Sequence, residues 1–362
     1  MKRSKQSNYL KIVAFVLIAI ITVSALGFVA NGWQPILNPE EGGENNDISP
    51  DDSENGGADI PVDATPKYYN YLTGLEINEG CANIAPIAFV TTPKKPLYGI
   101  SSVSLTVEFP IEGEDSRLLI FTDSATSLGK IGQIEPTRGY ISNLARYFGG
   151  ILLSYGDEDV IKYDSLSIAN QHIDLTDISG FHYTEGTIAY SNGDLLQAAL
   201  RTLGISLAFD TTPRLPFNFV QTEGPKLSFS VPCRSTIIPV DSSVSTKLLY
   251  NEESGRYSYC KNDVQITDSL NTAKIEYDNA FILLADSITY ESVSGSELVV
   301  KTNERGRGYY LTNGSYTEVK WVTEGGTMTI YDENDNKLAV NRGVTYIAFV
   351  KSTQEQLIKF TH

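Results

Sequence analysis

Histidine and cysteine are scarce in this chain of 362 residues, which has three of each. His172, His182 and His362 are too few for a multi-histidine metal site and leave little material for a histidine-dependent catalytic triad. The sequence also lacks the HExxH, GxSxG, GxxxxGK[ST] and CxxC patterns of known catalytic and nucleotide-binding sites. No cysteine spacing resembles a zinc site. We therefore predict neither a metal nor a cofactor.

Basic residues are also in deficit, because 28 Lys and Arg face 44 Asp and Glu, giving a formal net charge of −16. An acidic surface argues against nucleic acid as a partner and against docking on anionic lipid. The charge is uneven along the chain. Residues 1–11 form a basic tip, whereas residues 31–66 contain Asp and Glu but neither Lys nor Arg.

An uncharged apolar segment covers residues 12–30. As a helix it would be about 28 Å long, close to the thickness of a bilayer core. The basic tip before it predicts a cytoplasmic N-terminus and an extracellular location for the rest of the chain. A lipoprotein signal is excluded because the first cysteine is Cys81. A permanent signal anchor in the cell membrane is favoured, and cleavage near Ala30 is the alternative.

The chain after the apolar segment divides by composition. Residues 31–66 combine acidic side chains with Gly, Pro, Asn and Ser, which predicts a disordered linker. The remaining residues are enough for two domains, which we place at 67–210 and 211–362. Cys81, Cys233 and Cys260 leave two alternatives: a Cys233–Cys260 disulfide with Cys81 unpaired, or three small buried thiols.

Residues 67–210 show short β-branched or aromatic runs and two amphipathic helical patterns. The runs at 85–91, 103–109, 118–122 and 151–155 predict strands. Apolar side chains at helical spacing predict helices over 137–148 and 194–203, the second with Ser191 or Asn192 as N-cap and Gly204 as its stop. This alternation predicts an α/β domain with a mixed sheet.

Residues 211–362 change to short alternating strands separated by turn residues. Strands are predicted at 227–231, 247–250, 257–261, 280–285, 297–301 and 308–311. Asn313 and Gly314 predict a tight hairpin between 309–312 and 315–321. A second hairpin joins 327–331 to 337–340. The predicted fold class is thus α+β, with an N-terminal α/β domain, a β-rich C-terminal domain and one N-terminal transmembrane helix.

One group of charged residues is the best candidate for ligand binding. Glu108 and Arg117 flank the turn between two predicted strands, and Glu135 and Arg138 lie at the start of a predicted helix, where backbone N–H groups favour anions. Together they could hold a carboxylate or a phosphate, since arginine offers a planar fork for two hydrogen bonds. The alternative is a set of ordinary ion pairs at strand ends.

Two further patterns have simpler interpretations. His182 lies near Glu185, which could place a base beside an acid, but a surface histidine in a polar turn is the favoured interpretation. Asp332, Asn334 and Asn336 alternate as in a calcium loop. Because Lys337 and Gly343 occupy the positions that need glycine and glutamate, we predict a turn and no metal site there.

Several segments of the chain resemble the motifs of a known family. Residues 71–75 resemble a PLTGL motif, and Ile131, Gly132, Arg138 and Tyr140 resemble an IGPVRSARPY stretch. Both motifs are those of the YerB-like lipoprotein family, which opens with PLTGL. Residues 306–321 and 343–350 resemble its closing block, so that the similarity runs from Tyr71 to Lys351. The resemblance implies an exported protein of Gram-positive bacteria with an N-terminal α/β domain, a C-terminal β domain and no established biochemical activity.

The chain departs from this family at polar positions. Glu135 replaces the first arginine, and the histidines expected around Ser154 and within residues 188–194 are missing. If those residues are catalytic in the relatives, the resemblance implies that this chain has lost the activity. We predict a membrane-anchored, non-catalytic envelope protein that binds a cell-wall polymer or an envelope protein. The alternative is a cell-wall hydrolase that uses carboxylates beside Arg117 and Arg138.

Overall fold

A computed structural model describes residues 67–94, 96–113, 116–122, 128–156, 172–176, 178–209, 216–220, 226–240, 244–292 and 295–362. All of them belong to one compact unit, Thr65–His362. The basic tip, the apolar segment at 12–30 and the acidic linker lie outside the described residues. Within the described ranges, no helix is both long and apolar enough to cross a membrane.

The described residues form mainly strands. The first eleven are β1 (Tyr68–Tyr69), β2 (Glu76–Ile77), β3 (Ile87–Thr91), β4 (Leu105–Pro110), β5 (Ser116–Thr122), β6 (Ile131–Ile134), β7 (Ile151–Ser154), β8 (His172–Asp174), β9 (Tyr183–Glu185), β10 (Ile188–Ser191) and β11 (Asn218–Phe219). The next eight are β12 (Val231–Pro232), β13 (Ser235–Pro239), β14 (Ser245–Asn251), β15 (Arg256–Lys261), β16 (Val264–Gln265), β17 (Glu276–Tyr277), β18 (Asn279–Ala285) and β19 (Ser287–Ser292). The last seven are β20 (Gly295–Val300), β21 (Arg305–Thr312), β22 (Ser315–Glu324), β23 (Thr327–Tyr331), β24 (Ala339–Val340), β25 (Thr345–Lys351) and β26 (Lys359–Thr361).

Both predicted α-helices are confirmed as α1 (Gly139–Tyr147) and α2 (Gly193–Leu203). Helix α2 begins where the side chain of Asn192 accepts a hydrogen bond from the N–H of Leu195, at 3.0 Å. It ends at Gly204, whose left-handed φ of 65° is typical of a glycine that stops a helix. Short 3-10 turns occur at Glu79–Cys81 and Ser352–Leu357.

An eleven-stranded mixed sheet dominates the described part of the chain. Its strand order is β12-β22-β21-β18-β25-β4-β5-β3-β7-β8, and β23 adds to β22. Four neighbouring pairs are parallel: β18 with β25, β25 with β4, β3 with β7, and β7 with β8. Strands from both sides of the predicted domain boundary at residue 210 therefore share this sheet. The boundary itself stays a prediction.

The sheet is buried on both faces. One face carries an apolar cluster that includes Ile141 and Leu144 of α1. The other face joins a cluster with Leu196 and Leu200 of α2 and with side chains from a six-stranded sheet of order β16-β15-β14-β13-β26, in which β17 pairs with β15. The smaller sheets are β6-β10-β9, β1-β2, β11-β24 and β19-β20. The described fold is thus β-rich with two α-helices and mixed sheets.

Two of the predicted strands differ from those observed. Residues 227–230 are not in a strand, because Leu227 and Phe229 donate their N–H groups to side-chain oxygens of Asn341 and Ser315 instead of a neighbouring backbone. Residues 337–340 form only the short β24, which pairs with β11 in parallel and leaves a single bridge, Tyr331 to Lys337, to β23. The Asn313–Gly314 hairpin is confirmed, with left-handed φ angles of 48° and 69°.

Of the two alternatives for the cysteines, the Cys233–Cys260 disulfide is not formed. Cys81, Cys233 and Cys260 are all free thiols, with Cys81 exposed and the other two buried. Cys260 lies on β15, whereas Cys233 precedes β13, and β14 lies between these two strands in the sheet. The alternative of three buried thiols is therefore correct for Cys233 and Cys260 but not for Cys81.

Candidate functional site

Glu108, the first of the predicted site residues, lies on β4 and is only 2% exposed. Four hydroxyl groups donate hydrogen bonds to its carboxylate oxygens at 2.5–3.1 Å, those of Ser116, Thr246, Tyr259 and Tyr346. The Nζ atom of Lys261 donates to the same carboxylate at 2.6 Å. Every lone-pair direction of the buried charge thus has a donor within reach.

Lys261 is the counter-charge of Glu108 and is itself largely enclosed, with 11% of its side chain exposed. Its ammonium also donates to the hydroxyl oxygens of Thr246 and Ser116, at 3.0 and 3.2 Å. Burial raises the pKa of Glu108, but the charge of Lys261 and the hydroxyl donors outweigh it, so that the net pKa of Glu108 lies below its ordinary value. Glu108 is therefore ionised and fully paired.

The Glu108 network connects the two large sheets. Glu108 and Tyr346 lie on β4 and β25 of the eleven-stranded sheet, and Lys261 lies on β15 of the six-stranded one. Burial and the coulombic effect of Glu108 raise the pKa of Tyr346 well above its ordinary value, so the phenol remains a donor. Since the carboxylate is enclosed and held by five donors, the network fits a role in joining the sheets better than one in acid–base chemistry.

Arg138, the second predicted arginine, precedes α1 and is 2% exposed. It makes a two-pronged contact with Glu112: its Nη1 donates to Oε2 at 2.6 Å and its Nη2 donates to Oε1. Nη1 also donates to the carbonyl of Leu298 at 3.1 Å, and the N–H of Leu298 donates to Glu112. The carboxylate that Arg138 holds therefore comes from the turn between β4 and β5.

Glu112 has a clearly perturbed acidity. Partial burial opposes its ionisation, but Arg138 and the N–H of Leu298 stabilise the carboxylate and lower the pKa of Glu112 to about 2. A carboxyl with a lowered pKa contributes stability above its ordinary pKa near 4.5, and this contribution is lost as the pH falls through about 2.

Replacing Glu112 with glutamine should therefore destabilise the protein at pH 7 but not at pH 2. We expect a loss of about 1 kcal/mol at pH 7, because the side chain is 39% exposed and solvent screens the pair. Urea unfolding at both pH values measures this difference. Glu76→Gln, in an exposed pair with Lys67, is the matched control and should change little at either pH. An equal loss at both pH values for Glu112→Gln would contradict the ionic role.

The predicted cluster of four charged residues divides between the two faces of the sheet. Glu108 is opposite Leu118 in register and Arg117 is opposite Phe109, and side chains alternate between faces along a strand. Glu108 thus lies on one face and Arg117 on the other. The Nη1 of Arg117 donates to the carbonyl of Pro136 at 2.5 Å, close in sequence to Arg138.

Glu135 is half-buried in the loop that leads to α1. Its N–H donates to Val90 and its carbonyl accepts from Tyr155, which attaches this loop to β3 and to the end of β7. Arg117 thus contacts the loop that carries Glu135 and Arg138, whereas Glu108 lies on the other face of the sheet. A ligand-binding role for these residues stays a prediction.

A serine–histidine pair was not foreseen from the sequence. Ser154 of β7 and His172 of the parallel neighbour β8 lie 2.8 Å apart, Oγ to Nε2. Burial lowers the pKa of His172, and Asp174 on the same strand opposes this shift. Ser154 is completely buried, so that its hydroxyl is not presented to a substrate. The eighteen-residue separation gives no motif from which the contact could have been inferred.

The predicted proximity of His182 and Glu185 does not produce a base beside an acid. The ring of His182 lies against Tyr155, with centroids 5.0 Å apart, whereas Glu185 accepts a hydrogen bond from Lys130 at 2.7 Å. The residues of the calcium-like pattern form a turn, in which Asp332 accepts hydrogen bonds from the N–H groups of Asn334 and Asn336. In the described part of the chain, no three His, Cys, Asp or Glu residues are grouped to hold a metal ion.

An open groove of about 620 Å³ lies beside β23. Its buried lining is apolar and comprises Phe217, Ile330, Leu338 and Val340. Its accessible lining is mainly polar and includes Asn218, Thr329, Tyr331 and Lys337. Sequence reasoning missed this groove because β11 and β24, which build one side of it, are two-residue strands from distant parts of the chain. The hydrogen bond from Asn218 to Lys337 beside them spans 119 residues.

The edge of β23 runs along this groove. Among the described strands, β23 pairs only with β22. Among the described residues, its far edge is bridged at Tyr331 to Lys337, and the N–H of Leu338 donates to the carbonyl of Ile330 at 2.9 Å. A groove next to a strand edge is the arrangement by which many proteins bind an extended segment of another chain.

Comparison with known proteins agrees with the described fold. Residues 237–347 match the C-terminal domain of a protein family of unknown function, DUF3048. The crystal structure of the YerB protein from Bacillus subtilis superposes with a TM-score of 0.70 at 19% sequence identity, covering 82% of this chain and 100% of that one. No curated protein sequence matches the chain. The resemblance to the YerB-like family is thereby confirmed: the chain has the fold of YerB, and its residues 237–347 are similar to the C-terminal domain of DUF3048, a family of unknown function.

Proposed function

We propose that this chain is a membrane-anchored extracytoplasmic protein whose residues 67–362 form a non-catalytic binding module of the cell envelope. The groove beside β23 supports this proposal most strongly. It offers apolar surface, a polar rim and a strand edge, and its described lining contains a single carboxylate, Glu324, without a second acid to assist it. Glycosidic hydrolysis generally needs two carboxylates on either side of the bond.

The location is proposed from the sequence. The apolar segment at 12–30, the basic tip before it and the acidic linker at 31–66 favour a single-pass anchor with the module outside the membrane. The acidic linker would keep the module away from the bilayer surface, because like charges extend a chain and repel anionic lipid.

Of the two predicted classes of partner, the groove favours an envelope protein over a wall polymer. Outward-facing backbone groups of β23 can pair with an extended polypeptide, and the mixed polar and apolar groove can accept alternate side chains of that segment. A polysaccharide would instead need exposed aromatic rings for stacking. The ring of Phe217 in the groove is 4% exposed and therefore covered, which leaves the half-buried Tyr331 as the single accessible ring of the described lining.

The hydrolase alternative has less support from the contacts of its candidate residues. It uses Glu108 or Glu135 as acid or base beside Arg117 and Arg138, yet Glu108 is enclosed on the opposite face. The carboxylate that Arg138 contacts is Glu112, which Arg138 holds as an anion. A general acid needs the opposite perturbation, a raised pKa. The binding module is therefore the preferred function.

Thr329→Arg should weaken partner binding, because the long charged side chain of arginine would occupy the groove. The test selects peptides that bind the full chain from a random-peptide library, and then compares the affinities of the wild type and the variants for those peptides. We expect at least about tenfold weaker binding by Thr329→Arg, equivalent to 1.4 kcal/mol. Thr289→Arg, on the exposed strand β19, is the matched control and should bind as the wild type does.

Purified peptidoglycan provides the competing probe in the same experiment. A polypeptide partner would be contradicted if peptidoglycan retains the wild type but not Thr329→Arg, and if no peptide is selected. A non-catalytic role would be contradicted, and the hydrolase favoured, if the wild type releases soluble fragments from peptidoglycan and Glu135→Gln does not.

A further inference from the structure

Three tyrosine rings surround one lysine on the small sheet β6-β10-β9. Tyr183 lies on β9, Tyr190 lies on β10, and Tyr98 is bridged to Gly132 of β6. The Nζ atom of Lys130 lies 3.8 Å from the ring centroid of Tyr190, 4.4 Å from that of Tyr98 and 5.6 Å from that of Tyr183. We call these three rings the tyrosine cage.

A carboxylate completes the cage. Glu185 of β9 accepts a hydrogen bond from Nζ of Lys130 at 2.7 Å. Burial opposes the charge on Lys130, but Glu185 and the phenol groups of Tyr183 and Tyr98 raise the pKa of the ammonium above its ordinary value. Aromatic faces that converge on a cation, with an acid beside them, are the arrangement by which proteins recognise ammonium groups of ligands.

The walls of the cage are held by the fold. Tyr190 is 1% exposed, and Gly132 has a φ of 125° and approaches it so closely that a Cβ would lie 2.9 Å from the ring. Backbone hydrogen bonds of 2.7 and 3.3 Å join Tyr98 to Gly132 in both directions. The cage is thus shaped by backbone pairing and does not depend on the lysine for its geometry.

Lys130, which occupies the cage, is less constrained by the fold than the three tyrosine rings are. Lys130 reaches the cage by a flexible four-carbon stem, and 20% of its side chain is exposed. Its partner Glu185 is 59% exposed, so that the cage opens to solvent on the side of the carboxylate. An exposed ion pair contributes little to stability, typically under about 1 kcal/mol. The stability gained from the Lys130–Glu185 ion pair therefore does not explain why three rings converge on this lysine.

We propose that the tyrosine cage is a binding site for a primary alkylammonium group of a ligand, and that Lys130 is the resident group which this ligand displaces. A primary ammonium is the class that fits, because Glu185 accepts an N–H hydrogen bond from the group now in the cage. The site lies outside the groove beside β23 and does not depend on the function proposed for that groove.

Competition by Lys130 sets the expected affinity. A ligand can enter only those molecules in which the cage is vacant, and its apparent dissociation constant rises in inverse proportion to that fraction. If Lys130 fills the cage in about nine molecules of ten, its removal increases the affinity about tenfold. The internal lysine thus acts as a built-in competitor for the ligand.

The test measures n-butylammonium binding by calorimetry to the full chain and to Lys130→Ala, with Lys130→Gln as a second variant if the first does not fold. We expect about tenfold tighter binding by the lysine variant than by the wild type. Adding Tyr183→Ala to the variant should remove this gain, and adding Glu185→Gln should reduce it. Tetramethylammonium should bind the variant more weakly, because it has no N–H to donate to Glu185.

Lys247→Ala is the matched control, since Lys247 also forms a 2.8 Å pair with an exposed carboxylate, Asp263. It should leave n-butylammonium binding unchanged. Equal binding by the wild type and both Lys130 variants would overturn the proposal, as would a gain that Tyr183→Ala does not remove. Tighter binding of tetramethylammonium than of n-butylammonium would overturn the assignment to primary amines.

Discussion

Replacing Lys261 with methionine should lower the free energy of unfolding by about 3–5 kcal/mol at pH 7, the usual effect of leaving a buried charge without its partner. Glu108 would keep its four hydroxyl donors but lose the ammonium 2.6 Å away. Because Glu108 is 2% exposed, water cannot take the place of that charge without opening the contact between the two large sheets. Urea unfolding of the full chain measures the loss.

The pH dependence of this variant should invert. In the wild type the pKa of Glu108 is lowered, so its contribution to stability is present above the ordinary pKa and is lost as the pH falls through the lowered value. Without Lys261, burial dominates and raises the pKa of Glu108. The variant should then gain stability as the pH falls, because protonation relieves the unpaired charge.

Two controls identify the cause of the effect. Lys247 lies on β14, the strand next to that of Lys261, and forms an exposed pair with Asp263. Lys247→Met breaks this pair and should lower the free energy of unfolding by no more than about 1 kcal/mol. The double variant Glu108→Gln with Lys261→Met removes both charges and should be more stable than Lys261→Met alone. If Lys261→Met costs the same at every pH, the ionic account of this network is wrong.

Substituting alanine for Gly306 should cost at least about 3 kcal/mol, near the upper end for inserting an extra methyl group in a packed interior. A Cβ on Gly306 would lie 2.3 Å from the carbonyl oxygen of Leu284 and 2.6 Å from Nε1 of Trp321. These two atoms also form a hydrogen bond of 3.1 Å across the glycine. The methyl group would therefore separate β21 from β18 in the middle of the sheet.

Gly80→Ala is the matched control for Gly306→Ala. Gly80 lies in an exposed turn, its φ is ordinary, and no atom lies within 4 Å of its added Cβ. The control should leave the free energy of unfolding within about 0.5 kcal/mol of the wild type. If Gly306→Ala is no more destabilising than Gly80→Ala in urea unfolding, the close approach of the strands is not needed for stability.

Local signals in the sequence predicted local structure well. Asn192 and Gly204 bound α2 as expected, and Asn313 with Gly314 forms the expected hairpin. Each of these features depends on contacts within a few residues, such as a side chain that accepts a neighbouring N–H or a glycine in the left-handed region. The β-rich character of the second half follows from the same kind of pattern.

Pairing between distant segments was beyond the reach of such patterns. Strand β4 lies beside β25, and the hydrogen bond from Tyr346 to Glu108 spans 238 residues. Alternation of side chains indicates that a strand has two faces, but it does not identify the neighbouring strand. That Glu108 and Arg117 lie on opposite faces was missed for a local reason, because it depends on the register of the β4–β5 hairpin, in which Arg117 is opposite Phe109.

The partners of the candidate residues show the same limit. Glu112 was not singled out because acidic residues in a turn are common, yet it is the residue that holds Arg138. Lys261 and Glu108 are 153 residues apart, and nothing in either segment distinguishes this lysine from an exposed one. In both cases the charged residue is recognisable in the sequence, whereas its counter-charge can be identified only from the tertiary structure.

The closing motifs of the family resemblance acquire a physical meaning from the fold. Gly343 has a φ of 137° and a Cβ would lie 2.4 Å from Asp278, which requires glycine there. Its N–H donates to the carbonyl of Thr73 at 2.8 Å, and the side chain of Arg342 lies over Tyr69. The opening and closing motifs therefore contact each other, although 268 residues separate Gly74 from the arginine that bonds to it.

The proposed function is tested most directly by a photo-crosslinking residue at position 329 of the full chain, expressed in the envelope of a Gram-positive cell. We predict one discrete protein adduct from position 329, mapped to an extended segment of the partner, and no adduct from the control position 289. Adducts from neither position, the same adduct from both, or a product with wall polymer in place of protein would contradict the groove as the site at which this chain binds its partner.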